Sequence, residues 1–184
     1  MSDDFVEFAR AAAGRLRDTA FLMCRDWHLA QDLTQMTLAK VYASWRRVRA
    51  ADNPHAYART ILVRLVIDQR RRHSSRETAL VVPPEQGVTY PAELRLTLLD
   101  ALATLPARDR AIVVLRYWED LSVETVADML DVSTAVVKTQ SMRSLTRLRE
   151  LLGDSRLELF AEDRRQPLHP VRSHPRSGPA SGVG

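Results

Sequence analysis

The stretch that decides the fold is "SVETVADMLDVSTAVVKTQSMRSLTRLRELL", residues 122–152. Ser122 and Ser133 each stand just ahead of an apolar run at helical spacing, where a hydroxyl can accept from the first free backbone N–H groups of a helix. The pattern predicts a short helix, a turn of about three residues and a longer helix, the layout of a helix-turn-helix. Ala127 is small where two helices must approach closely, and Leu130, Val132 and Val137 are apolar where the corner must be buried. Asp131 occupies the turn at a place where glycine often takes a left-handed conformation, which aspartate tolerates better than most residues.

Charge in this region is segregated. Between Asp109 and Asp131 six acids face two arginines, whereas residues 134–152 carry Lys138, Arg143, Arg147 and Arg149 against Glu150 alone. Basic side chains and amides donate to base edges in a major groove, glutamine can pair with adenine, and apolar groups meet thymine methyls. The N-terminal half of such a helix is the part that enters the groove. Lys138, Thr139, Gln140, Met142 and Arg143 are therefore the candidate readers of duplex DNA. Arg147, one turn further along, suits a phosphate.

Upstream, "LRLTLLDALATL" and "PARDRAIVVLRYW" continue the helical period, with Pro106 placed for a first helical turn. Residues 75–93 lose the period and hold prolines and a glycine, so they are expected to form a flexible linker. Before them, residues 1–74 read as three or four further helices. Phe5, Phe8, Ala12, Leu16, Ala20 and Met23 form one apolar stripe. Leu29, Leu33, Met36, the stem of Lys40 and Trp45 form a second, and Tyr57, Ile61 and Leu65 a third. Asn53-Pro54 marks a helix start, and Arg70, Arg71 and Arg72 make the densest basic run. The expected fold is all-α: two small helical domains, 1–74 and 94–153, which need hold no fixed mutual orientation. Residues 154–184, rich in Pro, Ser, Gly and Arg, are expected to be a disordered tail.

Composition narrows the class. The 184 residues are 45% hydrophobic and 27% charged, ordinary for a globular protein, and only two of the 27 basic residues are lysines. A pI near 9.7 is compatible with an anionic partner. Cys24 is the single cysteine; four residues from His28, it would share a helix face with it, but two ligands do not make a metal site. No metal or cofactor is expected. The N-terminus is acidic and no apolar run is long enough to span a bilayer, so a cytoplasmic protein without membrane insertion is expected. Neither module shows paired carboxylates with histidine or metal-ligand spacing, which disfavours an enzyme. A stand-alone helix-turn-helix regulator is the competing reading from residues alone.

Both modules together resemble the extracytoplasmic-function (ECF) sigma factors, initiation subunits of bacterial RNA polymerase, in an arginine-rich, actinobacterial-type form. "HLAQDLTQMTLAKVYASWRRV", "NPHAYARTILV" and "IDQRRR" are similar to sigma domain 2. "ALATLPARDRAIVVLRYWEDLSVETVADMLDVSTAVVKTQSMRSLTRLR" is similar to sigma domain 4. The resemblance implies core RNA polymerase and promoter DNA as partners, and leaves an anti-sigma factor open as a third. It implies that Asp32, Leu33, Gln35 and Thr37 dock on the polymerase. Trp45, Asn53, His55, Tyr57, Arg64, Arg70 and Arg71 would serve the melted minus-10 element, and the helix from Lys138 to Arg147 the duplex minus-35 element. Gln31, Met36, Arg64 and Ala135 depart from the residues usual in that family.

Overall fold

A computed structural model describes residues 3–73 and 92–153; the interior of the expected linker and the expected tail lie outside the described residues. Every element of regular structure among those residues is helical. Four helices make the first module: α1 (Asp3–Cys24), α2 (Trp27–Ala43), the short α3 (Trp45–Arg49) and α4 (Pro54–His73). The second holds α5 (Ala92–Ala103), α6 (Ala107–Val113) continuing into a π-helical turn at Val114–Trp118, α7 (Val123–Leu130) and α8 (Thr134–Leu152).

Local chemistry accounts for the breaks. After α1 the chain turns through Arg25 at φ 65°, its N–H donating to the Phe21 carbonyl at 2.7 Å. Asp26 then caps α2, its Oδ1 accepting from the Leu29 N–H at 2.9 Å. Asn53 Oδ1 accepts from the Ala56 N–H at 2.9 Å at the start of α4. Pro106 occupies the N-cap of α6, one residue before the first turn where the sequence placed it. Ser122 and Ser133 cap α7 and α8 as expected, and Asp131 takes the left-handed conformation at φ 55°, ψ 51°.

Two apolar stripes are registered differently from the sequence reading. The α1 stripe is buried throughout. On α2, however, Trp27, Ala30, Leu33, Thr34, Thr37 and Val41 face inward, while Met36 is 48% exposed and Lys40 is exposed. Two threonines can lie in that face because Thr34 and Thr37 donate their hydroxyls to the Ala30 and Leu33 carbonyls one turn back. On α4 the deep line is Ala58, Leu62, Val63 and Val66; Tyr57, Ile61 and Leu65 are only partly buried at its margin.

The modules do not stand apart. Helix α1 packs on α6 and on the π-helical turn, α4 meets α7, and the buried side chains of both modules form one continuous core. Glu119, just after the π-helical turn, reaches across the seam. Its carboxylate accepts from Arg15 Nε at 3.1 Å, from Arg59 Nη1 at 3.0 Å and from the Thr19 hydroxyl. Arg15 also donates to the Trp118 carbonyl and lies over the Trp118 ring, 4.7 Å from its centroid. Arg110, 8% exposed, donates through Nε to the Met23 carbonyl at 3.1 Å. Desolvation first, then the charges of Arg25 and Arg70, push its pKa down to about 10.

Candidate nucleic-acid interface

Helix α8 is seated by Val137, Ser141, Ser144, Leu148 and Leu152, which point into the second module. At about 100° per residue, the direction opposite this buried line runs through Ala135, Thr139, Arg143, Thr146 and Glu150. These five are exposed, and Met142 beside them is 65% exposed. Of the sequence-chosen readers, Thr139, Met142 and Arg143 thus share the outward face. Lys138 and Arg147 are exposed on its two flanks, and Gln140 is half-buried beside Arg147. Ala135 belongs to the outward face and was not among the sequence-chosen residues; the register set by the buried Val137 and Ser141 would have revealed it.

Lys138 turns toward a groove of about 330 Å³ lined also by Arg116, Tyr117, Ser141, Met142, Leu145 and Arg149. Across α7, the Glu124 carboxyl is held below its usual pKa by its own backbone N–H and by Ser122, with Lys138 and Arg116 adding minor attraction. Arg116, Lys138 and Arg149 make this flank of α8 basic, and the N-terminus of the helix is capped by Ser133.

The candidates in the first module divide. On α4, Tyr57, Arg64 and Arg71 are seven residues apart and fall on one line that drifts only about 20° per step. Arg64 and Arg71 are exposed and Tyr57 is half-buried. Arg70, also exposed, lies about a quarter-turn away toward the arginines around Arg110. His55 points the other way, its ring 4.9 Å from Phe8. Trp45, weighed as a surface for stacking an unpaired base, is packed between Phe5 and Phe8 at 5.3 and 5.1 Å. In this arrangement it is part of an aromatic cluster. Asn53 uses its side-chain oxygen to cap α4.

The α2 candidates divide as well. Asp32 and Gln35 are exposed, but Leu33 is 2% and Thr37 0% exposed. Leu33 and Thr37 lie inside because their side of α2 is the one packed on α1 and α4, so they shape the helix rather than present atoms to a partner. Exposed Met36 lies beside Gln35 on the free face. Among the described residues no group of three or more His, Cys, Asp or Glu side chains could hold a metal, and no helix is long and apolar enough to cross a membrane.

Comparison with known proteins accounts for both modules. Residues 8–76 match the family model of sigma-70 region 2, and residues 101–150 that of sigma-70 region 4. The RNA polymerase sigma-E factor of Streptomyces coelicolor is 31% identical over 166 residues, 89% of this chain and 94% of that protein. The ECF RNA polymerase sigma factor SigE of Mycolicibacterium smegmatis is 32% identical over 157 residues, covering 80% of this chain and 61% of that protein. The fold is shared with the sigma factor RpoE of Bartonella quintana, solved in complex with the anti-sigma factor NepR. That match has a TM-score of 0.70 and 24% identity, covering 83% of this chain and 99% of that one. With regions 2 and 4 in order, and a relative of this identity matched over nearly its full length, the chain belongs to the ECF group of the sigma-70 family of RNA polymerase sigma factors.

Proposed function

We propose that this chain is the promoter-specificity subunit of a bacterial RNA polymerase, with its two modules dividing the work. The second module, residues 94–153, reads duplex minus-35 DNA through the outward face of α8, with Thr139, Met142 and Arg143 on base edges and Ala135 against a base or methyl group. Lys138 and Arg147 hold phosphates on either side, and Gln140 supports the Arg147 flank. The first module, residues 1–74, holds the melted minus-10 element along the Tyr57–Arg64–Arg71 line, with Arg70 contributing charge. Trp45, Asn53 and His55 act there through the shape they give the α3–α4 corner.

The free face of α2, with Asp32, Gln35 and Met36, docks on core polymerase, and Leu33 and Thr37 hold that face in place. An anti-sigma protein is a further partner consistent with the fold. The chain itself carries no catalytic step and works in the cytoplasm, where its polymerase and promoters are.

The observation that carries this reading is the match of both sigma regions, in order, to a chain whose reading helix exposes a basic and hydroxylic face. The competing reading, a stand-alone regulator, leaves the region 2 match without a purpose. Run-off transcription with actinobacterial core polymerase tests the proposal, on templates selected with the reconstituted holoenzyme. Specific initiation above core alone is expected; tight palindrome binding without polymerase, and no initiation, would overturn it.

A further inference from the structure

We propose that the groove beside α8 is a binding site for a purine nucleotide, with the phosphates on Arg116 and Lys138 and the base lying along Tyr117, Met142 and Leu145 toward Arg149. The site stands on the groove itself; its effect on DNA rests on the functional reading above.

The helical period builds one wall. Lys138, Ser141, Met142, Leu145 and Arg149 follow one another at steps of three and four residues, so they share one side of α8. The rise of an α-helix sets Lys138 and Arg149 roughly 16 Å apart along its axis. The other wall comes from the π-helical turn Val114–Trp118, which carries Arg116 and Tyr117. Such turns recur at functional sites.

The walls hold donors that the protein leaves unused. Ser141 is 6% exposed, and its Oγ has no hydrogen-bond partner, where a buried hydroxyl ordinarily finds one. Arg116 donates through Nη1 to the Leu121 carbonyl, but its buried Nε has no acceptor. Among the described residues the lining carries three cations and no acid. The Glu124 carboxyl, lowered first by its own backbone N–H and then by Ser122, is also drawn by Lys138 and Arg116, so these two cations stand at one end; Glu124 itself is exposed on α7, outside the lining.

Two cations beside an unpaired hydroxyl suit phosphate oxygens. The middle of the groove, formed by Met142, Leu145 and the Tyr117 ring, suits a flat ring system. At the far end Arg149 disfavours an aliphatic anion, whose tail would meet a guanidinium, whereas the O6 and N7 acceptors of guanine match it. A volume of about 330 Å³ lies at the small end of ligand sites. Because Lys138 also holds phosphate in the minus-35 reading, nucleotide and duplex compete for it.

The test is calorimetric titration of the full chain with GDP, pyrophosphate and guanosine. GDP should bind saturably at one site, and more tightly than either fragment. Arg116→Met should weaken it about tenfold and Ser141→Ala about threefold, with thermal melts reporting that each variant is folded. Arg108→Ala, which removes an exposed cation of the same module off the groove, should change it less than about twofold. GDP at ten times its Kd should raise the apparent Kd for a minus-35 duplex about tenfold. Absence of saturable binding, pyrophosphate binding as tightly as GDP, or GDP binding unchanged in both groove variants overturns the site. Bound GDP that leaves duplex affinity unchanged overturns the competition. A full chain that shows no preference for the minus-35 duplex counts against the functional reading, while the titration still reads the site.

Discussion

Replacing Arg143 by alanine separates a base reader from a charge that merely holds the phosphate chain. Arg143 is exposed on the outward face of α8, about 120° from the buried line through Val137, Ser144 and Leu148. Truncation there opens no cavity, and alanine is a strong helix former, so stability should move by less than about 0.5 kcal/mol. The effect on binding can then be read directly. A specific side-chain contact to a base edge discriminates by about 1–3 kcal/mol, or roughly 5- to 150-fold in affinity. Fluorescence anisotropy with the reconstituted holoenzyme should show that loss on the selected minus-35 sequence and a much smaller one on a scrambled duplex. Arg147→Ala is the control on the flank of the same helix. It should weaken both duplexes alike and reduce the slope of log affinity against log salt by about 0.9. Equal loss on selected and scrambled DNA for Arg143→Ala would refute the placement of this side chain in the groove.

Further outcomes follow from burial and capping. Ser133→Ala removes the Oγ that accepts from the Val136 N–H at 3.3 Å and should cost about 1 kcal/mol, lowering Tm by about 2–4 °C in a thermal melt. Leu33→Ala should cost about 2–5 kcal/mol in denaturant titration, whereas Met36→Ala should leave stability within about 0.5 kcal/mol and weaken core-polymerase binding instead. Burial, the largest cause, pushes the Cys24 thiol from 9.0 up to about 11, so its alkylation at pH 8 should run about 100-fold slower in the folded than in the unfolded chain. Because the folded value is the higher one, this thiol's contribution to stability is fully present below pH 9 and is lost as pH rises through about 11; pH-dependent melts of Cys24→Ser should lack that component.

Where a residue's fate depends on its own helix, the sequence alone was enough. Ser122, Ser133 and Asp131 took the capping and left-handed conformations expected of them, because those preferences arise within one turn of chain. The α1 stripe was legible for the same reason: its apolar residues recur at the helical period, though the burial of Asp18 and Thr19 beside them was not. The inward face of α2 was not legible, because Thr34 and Thr37 satisfy their hydroxyls on the backbone behind them and pass as core residues. Met36, apolar by type, was left outside by the packing of α1 and α4 on the other side of the helix. Aromatic rings at helical spacing are equally silent about their neighbours, so only the fold decided that Trp45 meets Phe5 and Phe8. The relation of the two modules lay furthest from view. Periodicity shows that each is helical, but Glu119 meets Arg15 and Thr19 some hundred residues away. A charge on a turn gives no local sign of the opposite charge that will bury it.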